Sequence, residues 1–237
     1  MEISQSNDGI FISQKKYALE ILKRFHMEQC KPVATLNVVN EKLSMNDGVD
    51  KADDSVYRSI IGSLFYLSAT RPDIVFATSL LSRFTHSPSQ IHFCATKRVL
   101  TYIRGITDYN FYFLKTESGE LQGYADSESG SVDDAKSTSD YAFSFVSIVF
   151  SWNSSMQDVE AQSSTKAEYI SAAAAANQAI CLRKILLDVG QIQDGATVIW
   201  VDNKSAFCIA NNPIQQWITK HIKVKFHAIR EAAKSRN

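Results

Sequence analysis

Near Lys115-Thr116-Glu117-Ser118-Gly119 the chain changes its periodicity, and this change constrains the fold more than any other feature. Upstream, apolar residues recur every three or four positions, as helices require; downstream they form short blocks bounded by turn residues, as strands do. With 237 residues, 45% of them hydrophobic, the chain can fill two small cores. We therefore expect two domains, a mostly α-helical one over residues 1–115 and a mixed α/β one over residues 119–237.

In the first half, Tyr17, Ile21, Leu22 and Phe25 predict a helix ending near His26. Pro32 to Asp54 reads as an exposed connector with a turn at Asn46-Asp47-Gly48. Helical stripes resume over Tyr57 to Ser68, Pro72 to Phe84 and Pro88 to Arg104, with both prolines expected in a first helical turn and Gly105 as a stop. In the second half, Leu121 to Asp126, Tyr141 to Val146 and Ile148 to Asn153 predict three consecutive strands. Ser163-Ser164-Thr165 offers N-caps for a long helix that Gly190 is placed to end. Its run of small residues, Ala172 to Ala176, would let it approach a sheet closely. Thr197 to Val201 predicts a further strand, Asn203 to Ala210 a short helix, and the residues after Pro213 a basic helical segment. The order β-β-β-α-β-α-α fits a mixed sheet with helices packed on its faces.

Lys plus Arg balances Asp plus Glu, 25 against 25, so global charge points to no polyanion and any nucleic-acid surface must come from local clustering. One cluster exists, in Lys220, His221, Lys223, Lys225 and Arg230, followed by Lys234 and Arg236. It reads equally as a solvated helix face and as a nucleic-acid contact. Cys30, Cys94, Cys181 and Cys208 are widely spaced, which suits reduced thiols in a cytoplasmic or nuclear protein and gives no zinc motif. The start lacks a basic segment followed by an apolar run, and no uncharged apolar stretch approaches the ~20 residues of a bilayer span, so no membrane partner is expected.

Three acids stand at telling places: Asp126 and Asp202 where strands are expected to end, and Glu168 in the first turn of the long helix. If the two strands are neighbours, all three can converge. Clustered carboxylates call for a cation, and hard oxygen donors select Mg2+ or Mn2+. Two such ions ~4 Å apart can activate water on one side of a phosphodiester and stabilise the leaving oxygen on the other. Each acid also has an ordinary structural reading. Asp126 suits a strand-end turn, Asp202 an N-cap for a helix starting at Asn203, and Glu168 a capping box with Thr165.

At these residues the sequence resembles the C-terminal part of Ty1/copia-type plant retrotransposon Pol polyproteins, over nearly its whole length. YRSIIGSLFYLSATRPDIVFATSLLSRF, SPSQIHF and KRVLTYIRG resemble the helical thumb or connection region that follows a reverse transcriptase palm. GYADS, DDAKSTS, AQSST with AEY, VDNKSA and TKHIKVKFHAIRE resemble the ribonuclease H (RNase H) domain. The resemblance implies an RNase H-like mixed sheet that hydrolyses RNA in RNA/DNA hybrids, with Asp126, Glu168 and Asp202 as catalytic metal ligands. The rest of a reverse transcriptase would be a further partner.

Departures from the family pattern lead us to expect reduced activity. No polymerase Tyr-x-Asp-Asp motif is present, and the family continues past Asn237 into an edge strand and a fourth acid, so the expected two-ion site is incomplete. Val146 and Ile148 stand where the family has glycines around a tight hairpin, which predicts strain there. Ser129 replaces a Trp, Asp140 a turn Gly and Lys166 an acid. The alternative is a catalytically inactive remnant that binds nucleic acid or has no specific activity.

Overall fold

The computed structural model describes residues 1–36, 43–115, 119–128, 136–146, 148–203 and 206. The chain is mixed α/β, and the described residues form two compact units, one reaching Lys115 and the other running from Gly119.

The first unit contains β1 (Glu2–Gln5), β2 (Gly9–Ser13), α1 (Lys15–Arg24), α2 (Asp54–Leu67), a 3-10 turn (Pro72–Ile74), α3 (Val75–Ser82), α4 (Gln90–Gly105) and β3 (Phe111–Leu114). Its core is aliphatic and closely packed, with Ile21, Leu22, Leu64, Leu100 and Ile103 fully buried beside Tyr57. The Tyr57 hydroxyl donates to the Leu81 carbonyl at 2.7 Å, so the buried phenol keeps a partner. Helix starts follow their caps. Asp53 accepts from the Ser55 and Val56 amides, which opens α2 three residues before Tyr57. Ser89 and His92 form a reciprocal capping box, so α4 begins at Gln90 and Pro88 lies outside it, contrary to the first-turn placement expected for that proline. Arg71, only 4% exposed, spans both Asp73 carboxylate oxygens (2.8 and 2.6 Å) and the Ile106 carbonyl (3.1 Å).

The antiparallel sheet β1-β2-β3 was not anticipated in this half. It joins the start of the unit to its end, through pairs such as Ile3 with Ile12 and Ile10 with Phe113. Strands of four or five residues are too short for periodicity to distinguish them from helical turns.

The second unit contains β4 (Leu121–Glu128), β5 (Thr138–Phe145), β6 (Ile148–Met156), α5 (Ser164–Asp188) and β7 (Val198–Trp200). Its sheet order is β6-β5-β4-β7, antiparallel throughout except that β7 runs parallel to β4. A parallel neighbour needs a crossover, and α5 lies within it, packed against β4 and β5. Ala175 and Ala179 let the helix come close, while Leu121, Phe143, Leu182 and Leu186 fill the core. At Gly123 any Cβ would come within 2.5 Å of the Phe143 ring, so only glycine fits beneath it.

Ser163 caps α5 by accepting from the Lys166 amide. At the other end Gly190 has φ +80°, its N–H donates to Leu187 (2.9 Å), and Gln191 N–H donates to Leu186 (2.7 Å), the paired bonds of a glycine-terminated helix. By length and composition α5 could cross a membrane; here its Ala-rich face is spent on the sheet. Between β5 and β6, Val146 sits at φ +63°, a left-handed conformation that a β-branched residue adopts only under strain. The register also shifts between Phe143 and Ser144. The strain expected of this hairpin is present.

Candidate functional site

The paired residues of β4 and β7 are Gln122 with Val198, Gly123 with Ile199 and Tyr124 with Trp200, each partner 76 positions apart. The same offset carried two residues past the end of β7 matches Asp202 with Asp126, so the parallel pairing directs the two acids to the same end of the sheet. Glu168 arrives from α5. One ligand oxygen from each of Asp126, Glu168 and Asp202 lies within 4.8 Å of the others.

Burial divides the trio. Asp126 and Asp202 are exposed, whereas Glu168 is buried at 7% exposure. Glu168 Oε1 accepts from the Ser127 hydroxyl at 2.9 Å, and Oε2 is buried with no hydrogen-bond partner among the described residues. Burial pushes the Glu168 carboxyl above its ordinary pKa, and the charges of Asp126 and Asp202 push it the same way, against the lowering effect of Ser127. Three carboxylates, one with an unsatisfied buried oxygen, form an all-oxygen donor set of the kind that suits Mg2+ or Mn2+. The residues present therefore fit a hard divalent cation.

Two ordinary readings of these acids do not describe the structure. Glu168 makes no capping box with Thr165, because Ser163 is the cap and Glu168 lies in the second helical turn, with its side chain turned to Ser127. Asp126 is no turn residue: β4 continues to Glu128, two positions beyond where the apolar pattern ends. The residue capping the Ala206 amide is Asn203, whose side-chain oxygen accepts it at 3.1 Å. Asp140, expected at a turn, lies inside β5 directly opposite Asp126.

Two hydroxyls at the site went unread in the sequence. Ser127 follows Asp126 in β4, and Ser171 stands one helical turn after Glu168, fully buried, with its Oγ donating to the Asp126 carbonyl. The sequence signal was a lone Ser at the edge of the Ala run, which periodicity counts only as a small residue. Lys220, His221, Lys223, Lys225 and Arg230 lie outside the described residues, as does most of the short helix expected over Asn203 to Ala210.

The chain is 35% identical to the retrovirus-related Pol polyprotein from transposon RE2 of Arabidopsis thaliana, over 99% of its own length and 16% of that protein's. It is also 35% identical to the corresponding polyprotein from transposon TNT 1-94 of Nicotiana tabacum, over 94% of the chain and 17% of the polyprotein. An Arabidopsis mitochondrial protein, AtMg00810, is 34% identical over 71% of the chain and 70% of its own length. The chain thus spans about a sixth of the polyproteins it matches. No family model matches it, and no solved structure does. Matched over 94–99% of its own length, the chain belongs to the Pol polyprotein family of Ty1/copia-type plant retrotransposons.

Proposed function

We propose that the second unit is an RNase H-type domain that hydrolyses RNA in RNA/DNA hybrids, and that the first is the helical thumb or connection region of a reverse transcriptase. The observation that carries the reading is the convergence of Asp126, Glu168 and Asp202, one ligand oxygen of each within 4.8 Å of the others, with Glu168 buried. Membership in the Pol family supports it.

In this reading the three carboxylates hold Mg2+ or Mn2+. Such an ion, when bound, supplies Lewis-acid stabilisation of charge on phosphodiester oxygens and a source of hydroxide at neutral pH. The chain's own contribution is positional. Asp126 lies in β4 and Asp202 follows two residues after the end of its parallel neighbour β7, so the pairing of the two strands directs both acids to one end of the sheet. Glu168 closes the group from the helix, with Ser127 donating to one of its oxygens and the other without a partner among the described residues. Lys166, the residue found where the family has an acid, is turned to Gln162 Oε1 at 2.6 Å and adds no carboxylate, which supports activity below that of the family.

A labelled RNA/DNA hybrid incubated with the protein and Mg2+ or Mn2+ should be cut in its RNA strand. Asp202→Asn should reduce cutting at least a hundredfold. Intact hybrid at protein excess would sink the reading, and salt-sensitive binding without cleavage would identify a non-catalytic nucleic-acid binder instead.

A further inference from the structure

We infer that Ser171 and Ser127 are the positioning residues of this centre: Ser171 fixes where α5 stands over the sheet, and Ser127 fixes which oxygen of Glu168 remains free. The inference rests on the metal-centre reading above.

Ser171 is 0% exposed, and its hydroxyl meets two carbonyls at once, donating to Asp126 O with Asp140 O at 3.1 Å. Asp126 and Asp140 are direct partners across β4 and β5. One side chain of the helix is therefore bonded to the row of the sheet that carries Asp126. The neighbouring buried positions on that helix face, Ala167, Ala175 and Ala179, have methyl groups there. Methyl contacts permit close approach but are non-directional and set no register. A hydroxyl donating to a carbonyl does.

The lever arm makes this register matter. Side-chain tips lie ~5–6 Å from a helix axis, so a rotation of about 10° shifts a carboxylate by about 1 Å. Metal centres tolerate misplacement of only about 0.5 Å. Glu168 lies one turn before Ser171, close enough that pinning one pins the other. Ser127 completes the arrangement from the strand side. Its hydroxyl takes Glu168 Oε1, so the carboxylate cannot rotate freely about its last bond and Oε2 is left without a hydrogen-bond partner among the described residues.

Mn2+ binding to the full chain, followed by electron paramagnetic resonance, tests this without requiring turnover. Ser171→Ala and Ser127→Ala should each weaken binding by about tenfold or more, as losses of outer-shell partners do. Ser127→Thr, which keeps the hydroxyl, should restore it. In an Asp126→Asn background, where the cluster is already broken, Ser171→Ala should cost little further affinity. If Ser171→Ala does not fold, Ser127→Ala with its threonine rescue decides. Folded Ser127→Ala and Ser171→Ala proteins that bind Mn2+ as the parent does would overturn the inference and leave the metal centre standing. A parent chain that binds no Mn2+ would overturn both.

Discussion

The two units differ in the chemistry of the polar groups they bury. In the helical unit, Thr70 donates to Gln14, Arg71 is spread over Asp73 and a carbonyl, and Ser89 with His92 caps a helix, while the fully buried Thr78 hydroxyl has no partner among the described residues. The sheet unit buries Glu168 beside two other acids and leaves one of its oxygens without a partner among the described residues. The first sets donors against acceptors and a cation against an anion. The second sets like charges close together, an unfavourable interaction that a bound cation would relieve.

The largest expected effect breaks the stable side of this comparison. Leu64 is completely buried in the helical core, and Leu64→Ala should lower unfolding free energy by about 2–5 kcal/mol in urea titrations. A loss under ~1 kcal/mol would show that the helical core is looser than its packing indicates.

On the other side the sign reverses. Glu168→Gln removes a charge from a group of like charges, so without metal it should raise stability at neutral pH by on the order of 1–2 kcal/mol. The pH dependence follows from the direction of the Glu168 shift. Its folded pKa lies above its unfolded value, so its stabilising contribution is complete below the unfolded pKa and is lost as pH rises through the folded one. Metal-free protein should therefore lose melting temperature as pH climbs above the ordinary carboxylate range, and Glu168→Gln should flatten that slope. Mg2+ should recover the loss in the parent chain and not in the variant. Equal slopes for the two proteins would remove Glu168 as the strained group.

The smallest effect concerns the hairpin. Val146→Gly relieves a left-handed φ at a position open to solvent and should stabilise the protein by about 1 kcal/mol, read as a higher melting temperature. No gain would mean that Val146 contributes contacts that offset its backbone cost.

Legibility followed the physics of each signal. The second sheet was visible because its strands carry apolar blocks, yet β5 starts at Thr138, three residues before Tyr141, since Thr-Ser-Asp pairs through its backbone without any apolar mark. For the same reason β4 extends through Ser127 and Glu128. The α5 termini could be placed because caps are local: Ser163 and Gly190 act on residues within one turn of themselves. The β1-β2-β3 sheet was unreadable because β3 finds its partner about a hundred positions earlier in the chain. At the site, the acids could be picked out by type, and their meeting followed once β4 and β7 proved to be neighbours. Ser127 and Ser171 could not, because a hydroxyl gains its role only from the tertiary partner it finds.

The strand β7 has three residues and parallel pairing, the less stable kind, yet Asp202 follows two residues after its end and depends on that pairing to reach Asp126. Successive residues of a strand face opposite sides, so a slip of one position would turn β7 over and displace the residues that follow it, Asp202 among them. The carboxylate group is in this sense a register detector. It exists in one alignment of β7 and vanishes in the next, and any cation that binds the three acids locks the shortest strand of the unit into place.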